Sequence, residues 1–154
     1  MVELVDTLGL GSSSYESGGS SPPFGIMRHS IWSMYSNIKN GLMGHRKSVM
    51  YPKNLLCSGT LKVLYREGYI NGFRTDPLNT KYFEIFLKYQ NGRSVINRIQ
   101  TVSRPGRRVY VSIDTLWKLD TSLLTLIIST SKGIFSDKQC RKFSQGGEVL
   151  CIIF

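Results

Sequence analysis

Hydrophobic and polar positions divide most of the chain into short amphipathic segments. In the first segment the apolar side chains recur three and four positions apart, at Ile31, Met34, Tyr35 and Ile38. That spacing follows one face of an α-helix, which we expect to end near Asn40-Gly41. A second helix is predicted between an N-cap at Asn54 and a stop at Gly68.

The second predicted helix has an internal glycine. Its inward side chains are expected to be Leu56, Leu61 and Leu64, and Gly59 lies between the first two. A glycine inside a helix costs about 1 kcal/mol relative to alanine. We therefore expect tertiary packing, rather than helix propensity, to hold this segment.

Strands are predicted around the two helices. Short strands are expected at residues 49–51 and 69–74, and alternating apolar positions predict another at residues 83–89. The dipeptide Asn91-Gly92 is typical of a type I′ turn. We expect it to join that strand in a hairpin to a further strand over residues 95–102.

The last third of the chain is predicted to be mostly strand. After a turn at Pro105-Gly106, apolar residues alternate through residues 109–113, and Asp114 is expected to cap a short helical turn. Residues 124–129 and 148–154 are predicted as two further strands. Ser136 and Gln139 have the capping-box spacing, S-x-x-Q, so a short helix should begin there and end at Gly146-Gly147.

These patterns predict an α+β fold of two small packed α/β modules. Residues 27–91 are expected to place two helices on a small antiparallel sheet, and residues 92–154 to be mostly β with one short helix. The Gly/Ser/Pro-rich residues 1–26 are expected to be a disordered leader, or an extension that precedes the true start at Met27.

Charge is the compositional feature that bears most on function. The chain has 20 Lys and Arg and 10 Asp and Glu; all 20 bases and 7 of the acids lie in residues 28–154, a net charge of +13 there. Such an excess favours an anionic partner, above all a nucleic acid. No apolar run is long enough to span a membrane, and an odd number of cysteines without C-x-x-C spacing favours a reducing compartment.

Catalytic and cofactor patterns are absent from the sequence. No phosphate-binding glycine motif, paired carboxylates or metal-ligand spacing is present, so we expect no cofactor, no metal and no small-molecule substrate. A hydrolase that uses Cys140 or Cys57 as nucleophile is the alternative, because spacing alone does not exclude a Cys–His pair. Structural roles for the cysteines are favoured.

Two turns carry candidate RNA chemistry. The arginine turn, residues 104–108, places Arg104, Arg107 and Arg108 around Pro105-Gly106 and precedes Tyr110. Guanidinium groups bind phosphates, and a tyrosine can stack or bond at the sugar. An exposed basic turn without a ligand is the alternative.

The hydroxyl turn is the more specific of the two. It comprises residues 129–133, with the sequence Ser129, Thr130, Ser131, Lys132 and Gly133. Short hydroxyls can read base edges and ribose hydroxyls in the shallow RNA minor groove, and a glycine permits close backbone approach. A polar strand-to-turn transition without a ligand would have the same composition.

Three ordered motifs resemble a known family. "SRPGRRVY" at 103–110, "ISTSKG" at 128–133 and "GGEVLC" at 146–151 are similar to ribosomal protein S8 of the small ribosomal subunit. "IWSMYSNIKNG" at 31–41 resembles that family's first helix, and residues 51–70 resemble its second helix and strand. The likeness covers about residues 27–154.

The resemblance implies a structural protein that binds the central domain of small-subunit ribosomal RNA, early in assembly and beside neighbouring ribosomal proteins. It assigns RNA contact to the hydroxyl turn, to Tyr110 after the arginine turn, and to Gly146, Gly147 and Glu148. A carboxylate can accept from the amino group of a nucleobase or orient a neighbouring Lys or Arg, so Glu148 need not repel RNA. Lys39, Asn40 and Lys53 are expected to add contacts in the N-terminal module.

The chain also departs from the family pattern. His29 and Ser30 stand where the family commonly has Asp-Pro, and Asn37 and Lys39 where it commonly has arginines. Lys39 keeps the charge but lacks a bidentate fork. This drift favours an organelle-encoded protein of the mitochondrial ribosome, with a plastid or bacterial origin as alternatives. A free regulatory protein that binds messenger RNA through the same surface is the other functional alternative.

Overall fold

The computed structural model describes residues 31–119 and 123–154, which contain four helices and ten strands. The helices are α1 (Ile31–Met43), α2 (Leu55–Arg66), α3 (Ile113–Lys118) and α4 (Asp137–Lys142). The strands are β1 (Ser48–Pro52), β2 (Ile70–Thr75), β3 (Tyr82–Leu87), β4 (Tyr89–Gln90), β5 (Arg93–Ser94), β6 (Ile99–Thr101), β7 (Tyr110–Val111), β8 (Thr125–Thr130), β9 (Gly133–Ser136) and β10 (Gly147–Ile153). The predicted leader, residues 1–26, lies outside the described residues.

Helix α1 packs its predicted apolar stripe against an antiparallel sheet of order β1-β3-β2. The helix continues beyond its predicted end at Asn40-Gly41 as far as Met43. Gly41 is buried, and a side chain there would come within 2.5 Å of Val49 Cγ1. The glycine therefore permits close helix–sheet packing instead of ending the helix.

Helix α2 begins at its predicted N-cap, where Asn54 Oδ1 accepts from the Leu56 amide at 3.3 Å. The prediction that Leu56 faces inward is wrong, since that side chain is 50% exposed, and Cys57 and Thr60 occupy the buried face instead. Gly59 lies against β9, where an added methyl would meet Ile134 Cδ1 at 2.9 Å. The glycine permits close packing of α2 on β9, and this packing offsets its low helix propensity, as predicted.

The Asn91-Gly92 turn is confirmed, with φ of 51° and 75°. It joins β4 to β5, however, and the predicted strand over residues 95–102 is reduced to β6, which pairs with β10 in the other sheet. The chain turns away after β5, where Ser94 Oγ donates to Ile96 O at 2.9 Å. The predicted module boundary falls inside this hairpin and stays a prediction.

The second sheet is antiparallel and has the order β6-β10-β8-β9, with β7 also paired to β10. The strand predicted over residues 109–113 is shorter, because Ile113 begins α3 and turns into the core. Ser112, rather than Asp114, is the N-cap: its hydroxyl accepts from the Thr115 amide at 3.3 Å. Alternation alone did not separate the strand from the helix that follows it.

Helix α4 carries the predicted capping box between Ser136 and Gln139. It ends at a C-cap on Phe143, earlier than predicted, and Ser144 adopts a left-handed φ of 49°. Gly147 is already part of β10. The helix end is therefore set by the turn after Phe143 and not by the glycine pair.

Two hydrophobic cores lie on the two faces of the second sheet. The larger one joins α1, α2 and the first sheet to Ile127, Cys151 and Ile153, and the smaller one packs α3 and α4 on Ile128 and Val149. The predicted α+β fold of two packed modules is confirmed. Within residues 31–119 and 123–154 no helix is long and apolar enough to cross a membrane.

Candidate nucleic-acid interface

Three of the predicted RNA-binding residues form a row across the second sheet. Tyr110 of β7 is directly opposite Glu148 of β10, and Glu148 is opposite Ser129 of β8. Directly opposed residues point to the same side of a sheet. Ser129 is in turn opposite Ile134, and Ile134 packs on α2. The row therefore lies on the same face of the second sheet as the part that the N-terminal module covers.

A β-bulge sets the direction of Glu148. The pairing of β10 with β8 shifts between Val149 and Cys151, so Glu148 and Cys151 face the same side although they are three residues apart. Without the extra residue, strand alternation would turn Glu148 to the opposite face. The bulge therefore brings the carboxylate into the row with Tyr110 and Ser129.

The hydroxyl turn is a two-residue hairpin between β8 and β9. Thr130 pairs with Gly133, so Ser131 and Lys132 form the exposed tip. The Thr130 hydroxyl donates to Gly133 O at 3.0 Å and accepts from the Lys132 amide at 3.2 Å. Thr130 thus stabilises the turn itself, whereas Ser131 and Lys132 are presented to solvent.

The arginine turn is held by backbone and side-chain hydrogen bonds. Arg104 and Arg107 exchange two backbone bonds of 3.0 Å, and Gly106 between them has a φ of 85°. Below the turn the buried Ser103 hydroxyl accepts from the Val109 amide at 3.0 Å. All three arginines of the turn are exposed on this fixed support.

Arg108 is oriented by two contacts. Its Nη1 donates to Glu148 Oε1 at 2.7 Å, and its guanidinium lies 6.0 Å from the centre of the Trp32 ring. The hydrogen bond to Glu148, followed by the charge of that carboxylate, raises the pKa of Arg108. Glu148 therefore positions a cation at this surface, one of the two roles considered for it from the sequence.

Sequence reasoning missed Trp32 and Ser103. The Trp32 Nε1 donates to Ser103 O at 2.7 Å and so ties the start of α1 to the base of the arginine turn. The sequence offered one signal for this role, since Trp32 is a large aromatic residue beside the predicted stripe of α1. Ser103 is the first residue of the motif at 103–110, but no local pattern indicated that its carbonyl accepts from Trp32, 71 positions away.

The two glycines before Glu148 are required by packing. A methyl at Gly146 would collide with Val111 O, and one at Gly147 with Ser129 O. These are backbone atoms, which cannot move aside as a flexible side chain can. Whether the two glycines also contact RNA stays a prediction.

The predicted N-terminal contacts lie elsewhere. Lys39 and Asn40 are exposed near the end of α1, whereas the arginine turn lies at its start, beside Trp32. Lys53 precedes α2, with its ammonium 5.6 Å from the centre of the Phe83 ring. These three residues are not part of the row or of either turn.

The remaining departures from the family pattern have different outcomes. Asn37 Nδ2 donates to Met50 O at 3.0 Å, so this side chain bonds to an edge of the first sheet. His29 and Ser30 lie outside the described residues.

The cysteines are buried and protonated. Burial raises the pKa of Cys57 and of Cys140 to about 11, and that of Cys151 to about 12. Because the thiolate is the nucleophile, these thiols are poorly suited to catalysis. Among the residues described, no group of three His, Cys, Asp or Glu could hold a metal ion.

Comparison with known proteins agrees with the motifs. The model of the family described as ribosomal protein S8 matches residues 29–154. The small ribosomal subunit protein uS8 of Ehrlichia ruminantium is 45% identical over 127 residues, which cover 80% of this chain and 96% of that protein.

Two further bacterial relatives show the same extent of similarity. Protein uS8 of Agrobacterium fabrum is 43% identical over 130 residues, which cover 83% of this chain and 98% of that protein. Protein uS8 of Coxiella burnetii is 42% identical over 129 residues, which cover 83% of this chain and 99% of that protein.

Proposed function

The chain belongs to the ribosomal protein S8 family, and from this we propose that it is a structural component of the small ribosomal subunit. Its finer role in this proposal is to bind the central domain of the small-subunit ribosomal RNA and to support subunit assembly and translation. Proteins of the family are structural, so the prediction that the chain is not an enzyme is confirmed.

The observation that carries the proposal is the row of Tyr110, Glu148 and Ser129 between the two turns. At one end of this surface the arginine turn supplies cations, and its Arg108 bonds to Glu148 of the row. At the other end β8 continues beyond Ser129 into the hydroxyl turn. Tyr110 is 71% exposed between them. A surface with cations, a stacking ring and short hydroxyls in sequence suits the shallow minor groove of an RNA helix.

Phosphate affinity and selectivity have different sources in this proposal. The cations of the arginine turn bind the backbone of any RNA. The hydroxyl turn has a fixed shape, since the Thr130 hydroxyl bonds to Gly133 and Lys132. A rigid tip of this kind fits one groove geometry better than others, which supports recognition of an irregular RNA segment.

The proposed partners and location follow from the family. Ribosomal RNA and other small-subunit proteins are the expected partners, and the ribosome is the expected location. The relatives named above are bacterial. The mitochondrial ribosome therefore stays a prediction, and a plastid or bacterial ribosome remains an alternative.

The test is equilibrium binding of the whole chain to a central-domain fragment of small-subunit RNA, with an unrelated RNA duplex as control, over a series of salt concentrations. We expect binding to the fragment to persist at salt concentrations that release the duplex. Equal and equally salt-sensitive binding to both would contradict recognition of shape, because charge alone would then explain the affinity.

A free regulatory protein that binds messenger RNA would use the same surface. Co-sedimentation separates the two functions, since a ribosomal component migrates with the small subunit at high salt. If the protein occurs only in fractions without ribosomes and still binds the RNA fragment, the regulatory function would be favoured.

A further inference from the structure

Trp32 of α1 contacts the arginine turn at two separate points. Its Nε1 donates to Ser103 O at 2.7 Å, at the base of the turn, and its ring centre lies 6.0 Å from the guanidinium of Arg108. The hydrogen bond joins residues 71 positions apart, so it forms only when α1 lies against the second sheet. A side chain of the first helix thus contacts both the backbone and a cation of a turn that is proposed to bind RNA.

The first hydrophobic core sets the position of Trp32. The residue is half-buried and packs against that core, next to the buried Ile31 and on the same helix as the buried Tyr35. Side chains packed on a dense core have little freedom to change rotamer. The indole therefore offers the arginine turn a fixed surface, and its N–H points at one carbonyl.

Ser103 extends this restraint to the rest of the turn. Its amide donates to Val149 O of β10 at 3.2 Å, its hydroxyl accepts from the Val109 amide at 3.0 Å, and its carbonyl accepts from Trp32. Ser103 is buried, so loss of any of these partners would leave a polar group unpaired. Helix α1, strand β10 and the far side of the turn are therefore tied together at one residue.

Arg108 is the cation that the indole orients. Its Nη1 donates to Glu148 Oε1 at 2.7 Å while its guanidinium lies over the Trp32 ring. A carboxylate at one edge and a ring at one face fix the plane of the group more closely than either contact alone. A guanidinium has five N–H donors, so others are left for a phosphate oxygen. In the described part of the chain, Arg104 and Arg107 have no ion pair or ring contact of this kind.

We propose that Trp32 is a positioning residue for RNA binding, through which α1 sets the place of the arginine turn and the direction of Arg108. The inference rests on the proposed function, because it assumes that the arginine turn binds RNA phosphates. Trp32 itself makes no RNA contact in this proposal. A cation already held in its binding geometry loses less conformational entropy when the phosphate arrives, which makes the free energy of binding more favourable.

The test is a double-mutant cycle in which the whole chain and its variants are titrated with the central-domain RNA fragment. Trp32→Leu removes both the N–H and the ring, and the dissociation constant should rise about three- to tenfold, since the lost ordering cannot exceed the energy of the two contacts. In an Arg108→Ala background the same change should have an effect of about twofold or less, because the oriented group is absent. In an Arg104→Ala background the larger rise should persist.

Two further variants separate the contacts and control for the substitution. Trp32→Phe keeps an aromatic ring but removes the N–H donor, so its affinity should lie between those of the unchanged protein and Trp32→Leu. The matched control is Trp117→Leu, which changes the other of the two tryptophans. Trp117 is on α3, outside the row and both turns, and its ring centre lies 5.7 Å from the guanidinium of Arg141. This control should keep its RNA affinity.

Hydrogen exchange of the free protein tests the positioning without RNA. In Trp32→Leu and in Trp32→Phe the bonded amides of Arg107 and Val109 should exchange faster, whereas that of Lys132 in the hydroxyl turn should keep its rate. Equal acceleration at both turns in both variants would indicate a general loss of stability and would overturn the proposal.

The titrations also distinguish this proposal from the proposed function. If Trp32→Leu raises the dissociation constant equally with and without Arg108, or does not raise it at all, Trp32 does not act through Arg108 and the inference is wrong. If the unchanged protein binds the fragment no better than an unrelated RNA duplex, it is the proposed function that fails.

Discussion

Arg108 and Glu148 form an ion pair of 2.7 Å that joins the arginine turn to β10. The side chain of Glu148 is 17% exposed and that of Arg108 is 47% exposed, so the acid lies deeper than the base. An acid in this position holds the guanidinium toward solvent, where a phosphate can reach it. The pair explains how a carboxylate is accommodated at a surface proposed to bind a polyanion.

Replacement of Glu148 by glutamine should weaken RNA binding, although it removes a negative charge. Without the carboxylate, Arg108 loses its fixed orientation, and we expect the dissociation constant to rise about two- to five-fold, in line with an exposed ion pair. The matched control is Glu84→Gln, because Glu84 pairs with Arg74 at 2.8 Å in the other sheet. Tighter binding by Glu148→Gln in an RNA titration would show that the acid only repels.

The two neighbouring hydroxyls of the hydroxyl turn should respond differently to substitution. Ser131→Ala should leave stability unchanged but cost about 1–3 kcal/mol of RNA binding, because the partner group on the RNA would be left unpaired. Thr130→Val should instead lower the free energy of unfolding by about 1 kcal/mol, since it removes two hydrogen bonds of the turn. Urea unfolding and RNA titration of both variants measure the difference. Unchanged affinity for Ser131→Ala would contradict its assigned role.

Gly147→Ala should destabilise the protein by about 2–4 kcal/mol, because its methyl would meet the backbone oxygen of Ser129. Gly72→Ala is the matched control: it is also a strand glycine, and an added methyl there meets nothing within 4 Å. The control should keep its thermal midpoint or gain slightly. Equal midpoints for the two variants would contradict the steric role of Gly147.

Stability should fall as the pH rises above the ordinary pKa of a thiol, about 8.5. Burial raises the pKa of Cys57 and Cys140 to about 11 and that of Cys151 to about 12. The folded protein therefore keeps protons that the unfolded chain releases, so the contribution is complete below pH 8.5 and is lost as the pH rises toward 11–12. In that window each thiol should lower the free energy of unfolding by up to about 1.4 kcal/mol per pH unit.

Urea unfolding at pH 7.5, 8.5 and 9.5 measures this dependence. Cys140→Ala should make the decline shallower, whatever its effect at pH 7.5, because one of the three thiols no longer titrates. A free energy of unfolding that stays constant between pH 7.5 and 9.5 would contradict the raised pKa values.

Short-range features of the fold were predictable from the sequence. The capping box of Ser136 and Gln139, the Asn54 cap and the Asn91-Gly92 turn are confirmed because each depends on bonds between residues at most three positions apart. The length of the strands was less predictable. Ile113 fits an alternating strand, yet it begins α3. The helix allows Ile113 and Leu116 to pack together in the second core.

The candidate site was predictable as a set of residues but not as an arrangement. The motifs identified both turns and Glu148, but they did not separate Thr130, which stabilises its own turn, from Ser131, which is exposed. The sequence assigned Lys39 to additional contacts in the N-terminal module, and in the structure Lys39 is exposed near the end of α1, away from the row and both turns.

By itself, then, the sequence determined the local elements, the basic character of residues 28–154 and the residues that carry RNA chemistry. Each of these depends only on neighbouring positions or on composition. Only the tertiary structure decided that Glu148 lies between Tyr110 and Ser129, that Trp32 bonds to Ser103, and that Lys39 lies away from the row and both turns. These relationships join residues 19 to 71 positions apart or depend on a bulge in β10. No local pattern specifies such contacts, since they arise only when the strands of the second sheet pair and the two modules pack.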